Sequence, residues 1–329
     1  MDFATKCLYA VPLRTLANQF KARADQWADN LALPLAVTIQ TGERPDDRRL
    51  EGDLVFGTVD QVLSSALVRP YALSWSQANI NLGAVVGSYL VFDEVHLFEK
   101  GSTLPTTLVL LKMLRDVSPF LLMTATLSGE MLSQVAGYLD AAVVTVSSSR
   151  PNGGASLPCH DRKRVLCWQG QQLTADAVIS SHSGRHRSLV VCNTVDQAVK
   201  LYRDIRSGLD CEETRLILLH SRFRKEDRAR KEAELIALFG KHADRRSGTA
   251  IAVATQVVEV GLDISCEVLY SELAPASSLV QRAGRCARYA GEVGEVRIYN
   301  VESPGPYRSE RVLVDATREA MPLFSGTDL

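Results

Sequence analysis

Nowhere do the 329 residues read G-x-x-x-x-G-K-[ST], the glycine-rich turn whose backbone N–H groups cradle nucleotide phosphates. Cysteine pairs at C-x-x-C spacing are also missing. The seven cysteines, Cys7, Cys159, Cys167, Cys192, Cys211, Cys266 and Cys286, are odd in number and widely spread. That argues against a disulfide framework and a structural zinc site, and it predicts a reducing, cytosolic setting. No apolar run approaches the roughly 18–20 residues that span a bilayer. The first residues hold no charged segment followed by an apolar one, so no signal peptide is expected. Net charge is small, −1 from 37 basic and 38 acidic residues. Global attraction to nucleic acid is therefore excluded, and any path for it must be a local basic stripe. Stretches 44–49, 162–164, 222–231 and 241–246 are the local clusters; each alone also fits a solvated helix or loop face.

Short apolar runs, rich in Val, Ile and Leu, recur along the chain. They are CLYAV (7–11), LAVTI (35–39), 54–56, YLVF (89–92), FLLM (120–123), 165–168, LVVC (189–192), LILL (216–219), AIAVA (250–254), 268–270 and 296–299. Such continuity fits strands buried on both faces, the mark of a parallel sheet. Helical periodicity separates several of them, at 13–27, 104–115, 131–139, 195–207, 224–239 and 278–288. This alternation predicts an α/β fold with helices on both sheet faces. The segment SSSRPNGGASL (147–157) is aperiodic and reads as a linker. It predicts a first domain at 1–146, a second at 158–302 and an extension at 303–329 that wraps the second domain.

Chemistry gathers at the ends of these runs. Asp93 and Glu94 follow YLVF, at the carboxyl end of an expected parallel strand, where α/β sheets bind ligands. The first acid suits Mg²⁺ bridging phosphates and the second suits orienting an attacking water. His96 lies on the same turn. Thr124 and Thr126 follow FLLM. In Gln281-Arg282-x-Gly284-Arg285-x-x-Arg288, Arg285 and Arg288 share a face if the segment is helical. A planar, permanently charged guanidinium suits phosphate oxygens. Gly261 permits close backbone approach beside Asp263, and Thr255 with Gln256 can donate to a nucleic-acid phosphate. Pro12 and Arg14, like Thr58 and Asp60, sit at strand-to-helix boundaries. Two metal patterns are weak: His160-Asp161 lies at the linker edge, and Gly184 interrupts His182 and His186.

Together, YAVPLRTLANQF, GTVDQ, FDEVHLFEKG, LLMTATLSGE, LVVCNTVDQA, LLHSRFRKEDR, ATQVVEVGLDIS and SLVQRAGRCAR resemble the helicase portion of the CRISPR-associated helicase–nuclease of type I systems, in helicase superfamily 2. The resemblance implies two RecA-like parallel-sheet domains, with ATP in the cleft and single-stranded DNA across their tops. It implies Mg²⁺ on Asp93, water activation by Glu94, and phosphate contacts from Arg285 and Arg288, with Gln281, Gly261 and Asp263 in the same nucleotide site. Nucleic-acid contacts are implied for Pro12, Arg14, Thr58, Asp60, Thr124 and Thr126, and for Asn193, Thr194, Thr255 and Gln256. The partners implied are a guide-RNA effector complex and an HD nuclease domain or separate chain.

The family's phosphate-loop strand precedes the strand corresponding to CLYAV, and only six residues precede it here. The first domain is therefore expected to lack that strand and to expose apolar edges, as in a fragment, a misassigned start or one piece of a split gene. Three readings stay open. One is an ATP-dependent DNA helicase, inactive alone without its phosphate loop. Another is a degenerate module that binds nucleic acid or the effector complex. The third is a superfamily 2 helicase acting on RNA.

Overall fold

A computed structural model describes residues 6–124, 126–144, 162–182, 184–209, 214–243, 248–303 and 305–328. The chain divides into two compact units, Met1–Ser148 and Ser149–Leu329. The expected linker at 147–157 and the His160-Asp161 pair lie outside the described residues. Among those residues, no helix is long and apolar enough to cross a membrane.

The first unit runs β1 (Cys7–Val11), α1 (Arg14–Asn30), β2 (Val37–Gln40), β3 (Leu54–Thr58), α2 (Val59–Ala66), α3 (Ala78–Val86), β4 (Tyr89–Phe92), α4 (Thr103–Leu114), β5 (Phe120–Leu122) and α5 (Gly129–Leu139). Its strands form one sheet ordered β2-β3-β1-β4-β5, every pair parallel. In register, Ala10 stands between Gly57 and Phe92. The residues that follow β1, β3, β4 and β5 therefore emerge along one edge, and each candidate of this unit is among them.

The second unit runs β6 (Lys163–Gln172), α6 (Ala175–His182), β7 (Arg187–Val191), α7 (Val195–Gly208), β8 (Thr214–Leu219), α8 (Lys225–Phe239), β9 (Thr249–Ala254), β10 (Val268–Glu272), α9 (Ala276–Ala283), β11 (Val293–Asn300) and α10 (Arg311–Phe324). Its sheet, β6-β11-β10-β7-β9-β8, is also wholly parallel. The two-residue period of a strand sorts its core. Leu189, Val191, Ala250, Ala252 and Ala254 pack in one layer, and Val190, Ile251 and Val253 in the opposite one. Both faces are covered, which is why these runs read as continuous rather than alternating.

Every apolar run forms a strand. The helices depart more. Helix α9 ends at Ala283, not at 288, because the chain turns after Gly284 to bridge Cys286 to Cys266, with Ala287 at φ 44°. Arg285 and Arg288 therefore stand beyond the helix, not on a shared helical face. Helices α2, α3 and α6 are too short for a clear period, and α10, within the extension expected at 303–329, carries Pro322 in its last turn.

Among the described residues of the first unit, β5 is an edge strand. Leu90, Val91 and Phe92 of β4 are buried, whereas Leu121 of β5 is 39% exposed. Beside it Leu108, Leu110, Leu114, Met131 and Val135 are only partly buried, and Val109, Met113, Val117 and Tyr138 face solvent. An edge strand flanked by exposed apolar side chains is a template for association. Replacing Met113 and Val117 by Glu is expected to reduce self-association in light scattering while changing unfolding free energy by no more than about 0.5 kcal/mol per site. A much larger destabilisation in urea denaturation would show these side chains to be packed.

Candidate nucleotide and nucleic-acid sites

At the end of β4, the Asp93 N–H donates to Ala10 O at 2.9 Å, so the strand ladder reaches the acid itself. Its carboxylate is fixed from two sides. Tyr9 Oη donates to Oδ2 at 2.7 Å, and the Glu94 backbone N–H donates to Oδ1 at 2.7 Å. Burial and the Asp93 hydrogen bond raise the Tyr9 phenol well above its ordinary value, so it stays a donor. Glu94 adopts φ 53°, ψ 41°, a left-handed conformation costing roughly 1–2 kcal/mol in a non-glycine residue. Such strain collects at functional sites. The turn sends the Glu94 side chain outward, one-third exposed. His96 Nδ1 lies 3.2 Å from Thr124 Oγ1 and 3.6 Å from Glu94 Oε2, linking the β4 and β5 ends. Burial holds the His96 imidazole below its ordinary value, and the Asp93 charge draws it partly back. Thr126 Oγ1 is buried with no hydrogen-bond partner among the described residues.

Mg²⁺ usually takes one or two carboxylates and completes its shell with water and phosphate oxygens. One oriented aspartate at a strand end fits that demand, and Asp93 is the residue that would hold the ion.

The other candidates of this unit vary in exposure. Arg14, at the start of α1, is half-exposed and pairs with Glu43 at 3.3 Å. Pro12 is half-buried, Asp60 is exposed in the first turn of α2, and Thr58 is buried at its N-cap.

In the second unit the arginine motif surrounds one buried guanidinium. Arg282 is fully buried and all five of its N–H groups are used. Nε donates to Glu259 Oε1 at 2.7 Å, and Nη1 donates to Ser271 Oγ and Glu272 O, both at 2.9 Å. Nη2 donates to Asn193 Oδ1 at 3.0 Å and to Tyr307 Oη at 2.9 Å. Burial raises the Glu259 carboxyl above its ordinary value, and Arg282 and Arg285 pull it back. Arg285 donates to the backbone carbonyls of Leu262 and Glu259, holding the 259–262 turn that contains Gly261, at φ 83°. Arg288 pairs with Asp263 at 2.7 Å, both partly exposed. The structure thus gathers Gly261, Asp263, Arg285 and Arg288 at one place, with half-buried Gln281 on the adjoining helix.

Asn193, read from sequence as a nucleic-acid contact, is an internal node. Its N–H donates to Glu272 Oε2, its side-chain amide to Leu273 O, and its own carbonyl oxygen accepts from Gln256 Nε2 at 2.8 Å. Thr255 is likewise buried. Thr194 is exposed and caps α7 by accepting from Gln197 N–H at 3.2 Å. Beside that cap lies an open groove of about 560 Å³, lined by Asp196, Lys200, Arg203, His220 and Arg222. Asp204 lines it too and Arg222 pairs with Asp196 at 2.7 Å, so three basic residues stand against two acids there. Sequence reasoning left out three partners. Tyr9 carried a signal, a polar tip in an apolar strand. Glu259 had only its place in the motif, and Tyr307 had none.

Two outcomes follow from this electrostatics. Arg282→Met leaves Glu259 buried without its cation and is expected to cost about 3–5 kcal/mol of stability; a loss near zero in chemical denaturation would contradict the buried pair. His96, His182 and His220 are all held below the ordinary value of 6.5 by burial. The unfolded chain then binds more protons at mildly acid pH, so their contribution is present above about pH 6.5 and is lost as pH falls through the folded values. Urea denaturation at pH 7.5 and 5.5 checks this, and equal stability at both would refute it.

With this geometry in place, known proteins match the chain along both units. Residues 2–135 match the DEAD/DEAH box helicase family, and residues 184–291 match the C-terminal part of the CRISPR-associated nuclease/helicase Cas3 family. The putative CRISPR-associated nuclease/helicase Cas3 of Methanocaldococcus jannaschii is 30% identical over 247 residues, 74% of this chain and 33% of that protein. The CRISPR-associated helicase Cas3 of Thermoproteus tenax is 29% identical over 336 aligned positions, 97% of this chain and 54% of that one. The crystal structure of T. fusca Cas3 with AMPPNP superposes with a TM-score of 0.76 at 22% identity, covering 98% of this chain and 44% of that chain. The chain spans between about a third and about half of the length of these two curated relatives. Along nearly its whole length it is Cas3-like, resembling the helicase portion of the CRISPR-associated nuclease/helicase Cas3 family within helicase superfamily 2.

Proposed function

We propose that this chain is the motor part of an ATP-dependent single-stranded DNA translocase in CRISPR defence. The observation carrying this reading is the end of β4. Asp93 is held by Tyr9 and by the next backbone N–H, and Glu94 is turned outward in a strained conformation. This divides labour between a fixed metal-holding carboxylate and an accessible one that orients water. When bound, Mg²⁺ would neutralise charge on the outer phosphates. Arg285 and Arg288 would supply cationic donors to nucleotide phosphates, Arg285 exchanging its carbonyl partners for phosphate oxygens. Support for the nucleotide comes from T. fusca Cas3, whose structures include AMPPNP, ADP and ATP complexes.

The nucleic-acid path uses the carboxyl ends of the strands, with Pro12, Arg14, Thr58, Asp60, Thr124 and Thr126 on the first unit and Thr194, Thr255 and Gln256 on the second. In the second unit it continues into the groove beside α7, where Lys200 and Arg203 would meet phosphates, and Asn193 shapes it from beneath. A guide-RNA effector complex is the recruiting partner, a reading supported by similarity to a chain in a CRISPR RNA-guided surveillance complex. An HD nuclease domain or chain cuts the translocated strand. The phosphate cradle comes from polypeptide other than these 329 residues, and the chain alone turns over ATP very slowly or not at all.

In a form carrying that cradle, Glu94→Gln is expected to lower turnover at least about a hundredfold without weakening Mg²⁺-nucleotide binding. Arg285→Ala is expected to lower it by about 10³–10⁵. Unchanged single-strand-stimulated ATPase in either variant would remove that residue's assignment.

A further inference from the structure

Tyr307 stands on the short 3-10 turn Gly305–Glu310 after β11, in a stretch with no motif of its own. Two observations tie this turn to the arginine motif and the proposed nucleic-acid edge. Gly305 has φ 56°, and a Cβ there would meet Thr194 Cγ2 at 3.1 Å, so the turn lies directly against the cap of α7. The Tyr307 ring packs on the sheet core, and its hydroxyl accepts from Arg282 Nη2 at 2.9 Å, with Gln256 Nε2 at 3.5 Å on the same oxygen. One phenol oxygen thus faces both the turn that follows β9 and the guanidinium that anchors the arginine motif.

We propose that Tyr307 is a positioning residue that couples the Thr255-Gln256 turn to Arg285 and Arg288. The idea rests on the function proposed above and adds a component to it. Gln256 Nε2 bonds Asn193 O, and Asn193 Oδ1 shares Arg282 Nη2 with Tyr307. A nucleic-acid strand that draws the Gln256 amide outward changes which donors compete for the phenol oxygen. Arg282 responds through its hydrogen bond to Tyr307 of the C-terminal extension. Of its other partners, Glu259 lies in the 259–262 turn that Arg285 grips, whereas Ser271 and the Glu272 carbonyl stand at the end of β10. A small shift of Arg282 therefore reorients Arg285 through Glu259, whose side chain and backbone carbonyl each bind one of the two arginines. Tyr307 touches no proposed substrate, so its role runs through Gln256 and Arg282.

The test is hydrogen exchange of the whole chain at peptides 255–262 and 282–288, with and without an oligothymidine strand. In the unaltered chain the strand is expected to slow both peptides. Tyr307→Phe keeps the ring and removes the acceptor. Without DNA it is expected to speed exchange at both peptides by about tenfold, the scale of one hydrogen bond to a charged group, with little change in Tm. With DNA, slowing should persist at 255–262 and vanish at 282–288. Unchanged exchange without DNA overturns the proposal, and so does DNA-induced slowing at 282–288 that survives the substitution, since a merely structural tyrosine would leave it intact. If DNA slows neither peptide in the unaltered chain, the nucleic-acid reading fails, and the proposed coupling fails with it. Once a phosphate cradle is present, the same variant should lower DNA-stimulated kcat while KM for ATP stays within about twofold. An effect on KM alone contradicts a positioning role.

Discussion

All strands of each sheet point the same way, and the placement of every candidate group depends on that constraint. A parallel strand buries both faces and needs a crossover before the next one, so its side chains serve packing and its carboxyl end is left for chemistry. In the first unit Pro12, Thr58, Asp93 and Thr124 all lie just beyond or at strand ends aligned by one register. In the second, Asn193 and Thr255 take the equivalent positions after β7 and β9. Antiparallel neighbours would have scattered these residues to opposite ends of the sheet.

The two units meet the cost of burying charge differently. Asp93 remains near solvent and is steadied by neutral donors, which leaves capacity for a cation. Glu259 and Glu272 are buried deeply enough that burial raises both carboxyls. Arg282 offsets this by placing all five donors on oxygen acceptors. A buried ion pair of this kind adds little net stability against an apolar equivalent, but losing one member is costly. Its value lies in fixing geometry, and what it fixes is the loop from which Arg285 and Arg288 project.

The strands were legible because a buried parallel strand leaves a plain trace, an apolar run such as AIAVA bounded by turn residues. The acidic turn and the arginine motif were legible because their residue types sit at fixed offsets from those runs. The end of α9 was not, since the stop at Gly284 depends on Cys286 bridging Cys266, a contact 20 residues back along the chain. Asn193 shows a deeper limit. A polar residue at a strand's carboxyl end looks the same in sequence whether it faces a ligand or, as here, the protein interior. Tyr307 and Tyr9 act through partners 25 and 84 residues away, and no local pattern encodes such separations. Among the described residues, Leu121 of β5 and several apolar side chains of α4 and α5 are only partly covered.

The central claim is that a nucleotide motor is divided between these residues and a phosphate cradle they do not contain. Single-strand-stimulated ATPase activity tests it most directly, measured on this chain alone and with a strand and phosphate-loop segment restored ahead of β1. The account predicts turnover at or near background for the chain alone, and DNA-dependent turnover after restoration that disappears in Asp93→Ala. Ready hydrolysis by the chain alone, lost in Asp93→Ala, would contradict the divided site. No hydrolysis in either form, with DNA still bound, would contradict the motor and leave a module that only binds.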